Sequence, residues 1–181
     1  MKAVADSSVL IFFAKIRRLD ILKKLFGELY ASGTVASEIL RGRGEGYSGA
    51  DEFEAFSQSG QLSLVGGATL ASGEDATIAL AKKINAGVVL MDDYAGNKKA
   101  RLAGLRVRSC PFLLLFALKK GLISKMEFDR LLDLLLSFNY FISPRMLKKV
   151  IEAGEKLGSG KAEKSAADML SEVDGEFDPD K

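Results

Sequence analysis

The sequence predicts an α/β fold, a three-layer α/β/α sandwich around a central parallel sheet, with extra helices at the C-terminal end. Short β-prone apolar segments alternate with segments whose apolar residues recur at helical spacing; strands separated by helices of this length indicate βαβ units and a doubly wound sheet. One segment, Gly87–Met91, is apolar and β-branched, as in a parallel strand covered on both faces. Acids directly follow two of the strands, Asp6 in one case and the pair Asp92 and Asp93 in the other. That is the sheet edge at which ligands bind in open α/β folds.

In chain order, Lys2–Ala5 is a β-prone start. From Ser7 through Phe26 helical spacing runs through Leu10, Phe13 and Ile16 and again through Leu19, Leu22 and Phe26. Leu29–Ala31 is a second short strand, and Thr34 opens a helix carrying Val35, Glu38 and Ile39 until the glycine-rich stretch 42–49 ends it. Asp51–Ser57 is helical and Leu62–Val65 alternates as a strand does. Ser72 is placed to cap a helix reaching about Asn85, Tyr94–Ala103 is helical, and Leu105–Arg108 is a strand. Helices follow over about Cys110–Lys120 and Ser124–Ser137, and a last one over Ser143–Leu157 carries Pro144 in its first turn. The leucines at 131, 132 and 134–136 form a buried helix face and not a zipper, because no heptad persists.

At 181 residues and 48% apolar, the chain has enough material for one substantial core. Residues 1–157 are expected as the folded domain and 158–181 as an acidic, disordered tail. Residues 161–181 hold seven acids against three bases, so the net charge of +2 leaves the preceding residues at +6. The globular part is therefore moderately basic. With one cysteine, Cys110, and no histidine, no Ser–His or Cys–His nucleophile, histidine base or histidine-ligated zinc is possible. Hydrolytic chemistry would rest on Asp, Glu, Lys, Ser or Tyr, and carboxylates favour hard cations such as Mg²⁺ and Mn²⁺. The longest apolar stretch, Pro111–Leu118, is far shorter than a membrane span of roughly 20 residues, and the first residues lack a signal-peptide cleavage pattern; a cytoplasmic protein is expected.

Each candidate acid has a plain structural use as well. Asp6 is a good N-cap for the helix that follows it, and Glu38 sits where a solvated helix residue would serve. In Ser72-Gly73-Glu74-Asp75, Asp75 holds the capping-box position, which leaves Glu74 less explained although any first-turn acid gains from the helix dipole. Asp92 and Asp93 with Asp6 would bring like charges together at one sheet edge, an arrangement that is costly without a cation. Asp129 and Asp133 recur on a charged helix face and are read as solvent-facing.

The series Val-Ala-Asp-Ser-Ser at 4–8, Val-Ala-Ser-Glu-Ile at 35–39, Gly-Glu-Asp-Ala-Thr-Ile-Ala-Leu-Ala at 73–81 and Val-Leu-Met-Asp-Asp at 89–93 resembles the PIN-domain pattern, most of all the VapC-like PIN proteins of archaea and bacteria. The resemblance runs from Met1 to about Ile151 and takes in Lys-Lys-Gly-Leu-Ile-Ser at 119–124. It implies a metal-dependent endoribonuclease using Mg²⁺ or Mn²⁺, with Asp6, Glu38, Glu74 or Asp75, and Asp92 or Asp93 converging on the metal. Many VapC-like proteins are toxins held by an antitoxin, so a partner protein, and a homodimer, are expectations of the same kind. RNA, single-stranded or structured, is favoured over DNA by the resemblance alone.

Substrate backbone would require cations near the acids. Lys98, Lys99 and Arg101, with Arg106 and Arg108, lie downstream of the aspartate pair, and Arg41 and Arg43 flank the glycine-rich loop, a candidate substrate clamp. In two places the chain departs from its relatives: Asn97 stands where they often place Arg, and Ser109-Cys110 where they often have Gly-Thr. Two other readings follow from the same residues. A strand-end aspartate is also the design of a receiver-like phosphoacceptor, which leaves the acids at 38 and 74 without a role. A PIN scaffold that binds RNA or protein without cutting is the second.

Overall fold

The structure, a computed structural model, describes residues 1–45, 49–66 and 72–159. The acidic segment expected as a tail and the tip of the glycine-rich loop lie outside the described residues, except for the loop's flanks and for residues 158 and 159, of which Gly158 belongs to the last helix.

The first of two compact units, Met1–Cys110, holds a five-stranded sheet in the order β3-β2-β1-β4-β5. The strands are β1 (Lys2–Ala5), β2 (Glu28–Ser32), β3 (Ser63–Val65), β4 (Val88–Leu90) and β5 (Val107–Arg108), and every pairing is parallel. β1 lies at the centre, with Ala3 opposite Leu29 on one side and Val88 on the other. Helices α1 (Ser7–Lys15) and α2 (Leu19–Phe26) connect β1 to β2, and α3 (Gly33–Arg41) and α4 (Ala50–Gln58) connect β2 to β3. Helix α5 (Gly73–Lys83) leads into β4, and α6 (Tyr94–Leu102) into β5. The right-handed crossovers that parallel sheets adopt place α1–α4 on one face and α5 and α6 on the other. Val88, Val89 and Leu90 are accordingly all buried. On the α5–α6 face, Val4, Val89, Met91 and Val107 pack with Ile78, Leu80, Ala81 and Ala100.

The helical spacing over 7–26 is interrupted once. Arg17 adopts a left-handed φ of 55°, and the amide of Arg18 bonds back to the Phe13 carbonyl at 2.8 Å. The spacing carries across the break because both helices bury their apolar faces, which is why periodicity alone does not show it. The strand read over Leu105–Arg108 is confined to Val107–Arg108.

The second unit starts at Pro111 and contains all of α7 (Cys110–Lys119) but its first residue, α8 (Lys125–Ser137) and α9 (Pro144–Gly158). Ser124 and Ser143 cap α8 and α9 by accepting from the amides of Glu127 and Met146. Phe128, Leu131, Leu132 and Leu135 of α8 are buried, as are Met146, Val150, Ala153 and Gly154 of α9. Gly154 allows close approach, since a Cβ there would lie 2.4 Å from Cε1 of Phe128. Asp129 and Asp133 are exposed. Among the described residues no helix is long and apolar enough to cross a membrane.

Candidate active site

Parallel pairing brings the carboxyl ends of β1 and β4 side by side, with Ala5 opposite Leu90. Asp6 continues β1 with extended backbone and donates its amide to the Leu90 carbonyl at 2.9 Å. Its side chain makes no cap bond to α1. The carboxylate is instead turned inward, 2% exposed, where Oδ1 accepts from Oγ1 of Thr77 at 3.3 Å and Oδ2 from Oγ of Ser8 at 3.2 Å. Burial, with the added charge of Glu74, raises its pKa to about 6, against the lowering effect of the Ser7 amide and these hydroxyls. Removing a carboxylate from water without a countercharge penalises its ionised form.

Ser8 also ties the two strand ends together, because its Oγ accepts from the Asp92 amide at 3.3 Å. The half-buried Asp92 carboxylate accepts from the Cys110 amide, just past β5, at 2.8 Å. Asp93 is exposed and caps α6, its Oδ2 accepting from the Gly96 amide at 2.7 Å. Burial, and then the charge of Asp92, push the Cys110 thiol well above its ordinary pKa, so it is held neutral.

The start of α5 separates its two acids in the same way. Ser72 caps the helix by accepting from the Asp75 amide at 3.2 Å. The Asp75 carboxylate pairs with Lys99 of α6 and hydrogen-bonds Ser72, and both contacts hold its pKa below the usual carboxylate range. Glu74 takes the other direction, towards Asp6 and alongside Gly96, where a Cβ would lie 2.9 Å from its Cγ. Glu38 reaches from α3 to the same helix start: a Cβ on Gly73 would meet its Oε2 at 2.5 Å. The helix dipole favours a carboxylate there. Thus Glu38, Glu74 and Asp6 are arrayed along the first turns of α5, and Asp92 is linked to them through Ser8.

Among the described residues, no three His, Cys, Asp or Glu side chains stand together closely enough to hold a metal ion by themselves. The donor set nonetheless fits a hard cation. Mg²⁺ is usually held by one or two carboxylates, with water and substrate phosphate completing its shell, and Asp6 is a buried carboxylate with hydroxyl partners and a second acid beside it.

The basic candidates are less uniform. Lys99 is engaged by Asp75, and Arg43 bridges Asp51 at 2.8 Å and Glu54 at 2.6 Å. Arg41 is exposed at the end of α3 and Lys98 is half-buried on α6. Asn97, 4% exposed, donates through Nδ2 to the Met91 carbonyl at 3.4 Å and accepts from Nε of Arg101 at 3.0 Å. Position 97 thus joins the end of β4 to a guanidinium one turn later on α6.

Two residues beyond the sequence candidates enter the site. Ser8 was visible in the Asp-Ser-Ser run, and Thr77 falls on the Glu74 side of α5 by its i+3 spacing. Ser109, next to Cys110, is a separate case: its Oγ is buried without a hydrogen-bond partner among the described residues. Because an unmet buried hydroxyl costs more than a methyl, Ser109→Ala is expected to stabilise the chain by about 1 kcal/mol, read as a higher denaturant midpoint at unchanged slope.

The doubly wound sheet and the acids at its carboxyl edge define an α/β domain with a carboxylate-bearing ligand edge. A family model described as a PIN domain matches residues 2–156, and the chain belongs to that family, whose members are in general nucleases that use divalent metals. Comparison with curated proteins finds no match.

Proposed function

We propose that this chain is a metal-dependent endoribonuclease that hydrolyses phosphodiester bonds. The observation that carries the reading is Asp6, a buried carboxylate at the sheet's carboxyl edge with Glu74 beside it and a pKa of about 6. Asp6 and Glu74 would hold Mg²⁺ or Mn²⁺, with Asp92 and Glu38 acting directly or through water. Such an ion, when bound, lowers the pKa of a water and neutralises charge developing on the phosphate. Ser8 and Thr77 fix the two oxygens of Asp6, and Ser8 keeps the Asp92 backbone in register with it. Asp75 and Asp93, occupied with Lys99 and with the α6 cap, serve the frame of the site. Asn97 accepts from Nε of Arg101 and is itself anchored to the Met91 carbonyl just past β4; a guanidinium is the group best shaped to meet a phosphate.

A specific observation favours one other reading, a PIN-fold module that binds RNA or protein without cutting it. It is the lack of any three-carboxylate group among the described residues. The test is cleavage of labelled single-stranded RNA, structured RNA and DNA with Mn²⁺, Mg²⁺ or EDTA, beside Asp6→Asn and Glu74→Gln. Metal-dependent cutting of RNA that falls at least a hundredfold in both variants is expected. Cutting that survives both would remove the centre described above, and no cutting under any condition would leave the binding module.

A further inference from the structure

The turn between α8 and α9 combines features that the cleavage centre does not use. Between Asp133 and Glu152 the sequence has no acid, while Arg145, Lys148 and Lys149 supply three cations and Phe138, Tyr140 and Phe141 three aromatic rings. Phe141 is 91% exposed and Phe138 42%. The segment that carries the rings is anchored at its two ends. The Phe138 amide bonds to the carbonyls of Leu134 and Leu135, the Asn139 amide bonds to that of Leu136, and Asn139 has a left-handed φ of 59°. At the other end Ser143 caps α9 and Pro144 occupies its first turn.

Helix α9 turns Met146, Val150, Ala153 and Gly154 inward, with Gly154 against Phe128 of α8. Arg145 and Lys148 are exposed on its other side. Lys148 has Glu152 at 3.9 Å, a contact between exposed side chains that holds a cation weakly. Exposed rings next to cations, in a stretch whose own sequence carries no acid, are complementary to a polyanion that also has flat apolar faces. A nucleic acid strand with unpaired bases has both properties, whereas a duplex hides its base faces.

We propose that the α8–α9 turn and the first half of α9 form a stacking platform for single-stranded RNA, with Phe141 and Phe138 taking bases and Arg145, Lys148 and Lys149 the adjoining phosphates. The choice of RNA among polyanions rests on the endoribonuclease reading above; the platform lies wholly within the second unit and needs none of the carboxylates. Its rings supply sequence-tolerant stacking, as in other single-strand binders, and its cations supply the salt-dependent part of the affinity.

The test uses the full chain carrying Asp6→Asn, in EDTA, so that the probe stays intact. Binding of fluorescent oligouridylate and of an RNA duplex of equal length is followed by anisotropy over a salt series. The single strand is expected to bind more tightly than the duplex. Phe141→Ala weakens it about tenfold and Phe141→Trp restores it, whereas Lys148→Gln with Lys149→Gln lowers the slope of log K against log salt by about 1.4. Equal binding by Phe141→Ala, equal affinity for the duplex, or no binding at all overturns the platform. So does a role of Phe141 confined to anionic vesicles or to self-association by sedimentation. Single-strand binding that depends on Phe141, in a chain that never cuts RNA, would instead sink the endoribonuclease reading and leave the platform standing.

Discussion

Asp6→Asn is expected to make the protein more stable at neutral and alkaline pH while removing cleavage. The folded pKa of Asp6 is about 6 against an ordinary value of 3.8, so the folded state holds this proton more tightly than the unfolded chain does. Stability from this group is therefore greatest below about pH 4, declines as pH rises through the interval to about 6, and stays reduced above it. The difference corresponds to about 3 kcal/mol. The amide removes that penalty: the variant gains up to about 3 kcal/mol at pH 8, a rise in melting temperature of roughly 10 °C, and matches the parent near pH 4. Mn²⁺ should raise the melting temperature of the parent and have much less effect on the variant. A variant less stable than the parent at pH 8 would mean that Asp6 is matched by its surroundings and is no cation seat. A functional carboxylate that costs stability is the usual signature of a site kept for chemistry.

The second large effect is expected at Gly154→Ala, where two tendencies oppose each other. Replacing glycine within a helix gains about 1 kcal/mol from backbone propensity. The new Cβ, however, would lie 2.4 Å from Cε1 of Phe128, and that ring is fully buried. Overpacking of this kind costs typically 1–3 kcal/mol, and so close a contact belongs at the upper end. A net loss of about 2 kcal/mol is expected, read from the denaturant midpoint. Phe128→Leu in the same chain should recover part of it, because the two changes share one contact. A Gly154→Ala chain as stable as the parent would show that α8 and α9 separate easily, and would weaken the case for a rigid turn between them.

Much of the frame is legible because it is local. Ser72, Ser124 and Ser143 cap the helices that their positions announce, and the apolar run ending at Met91 places a strand where the acids follow. Asp6 at the end of β1 is legible for the same reason. What the pattern leaves open is direction. Glu74 and Asp75 are neighbours in sequence and both suit a first helical turn, yet one turns towards Asp6 and the other pairs with Lys99. Asp92 and Asp93 divide likewise into a carboxylate bound by the Cys110 amide and a helix cap.

The amino-acid pattern establishes the alternation of strands and helices, the acids at strand ends, the absence of histidine chemistry and the aromatic turn before α9 with the cations that follow it. These depend on neighbours within a few residues and on composition. The burial of Asp6 beside Thr77 and Glu74, the bridge made by Ser8 to Asp92, the capture of Lys99 and Arg43 by acids, and the unmet hydroxyl of Ser109 arise in the folded chain. Thr77 and Asp6 are 71 residues apart, and Ser8 and Asp92 are 84. Contacts at such separations are set when the parallel register brings strand ends together, and no local periodicity encodes which side chain then faces inward.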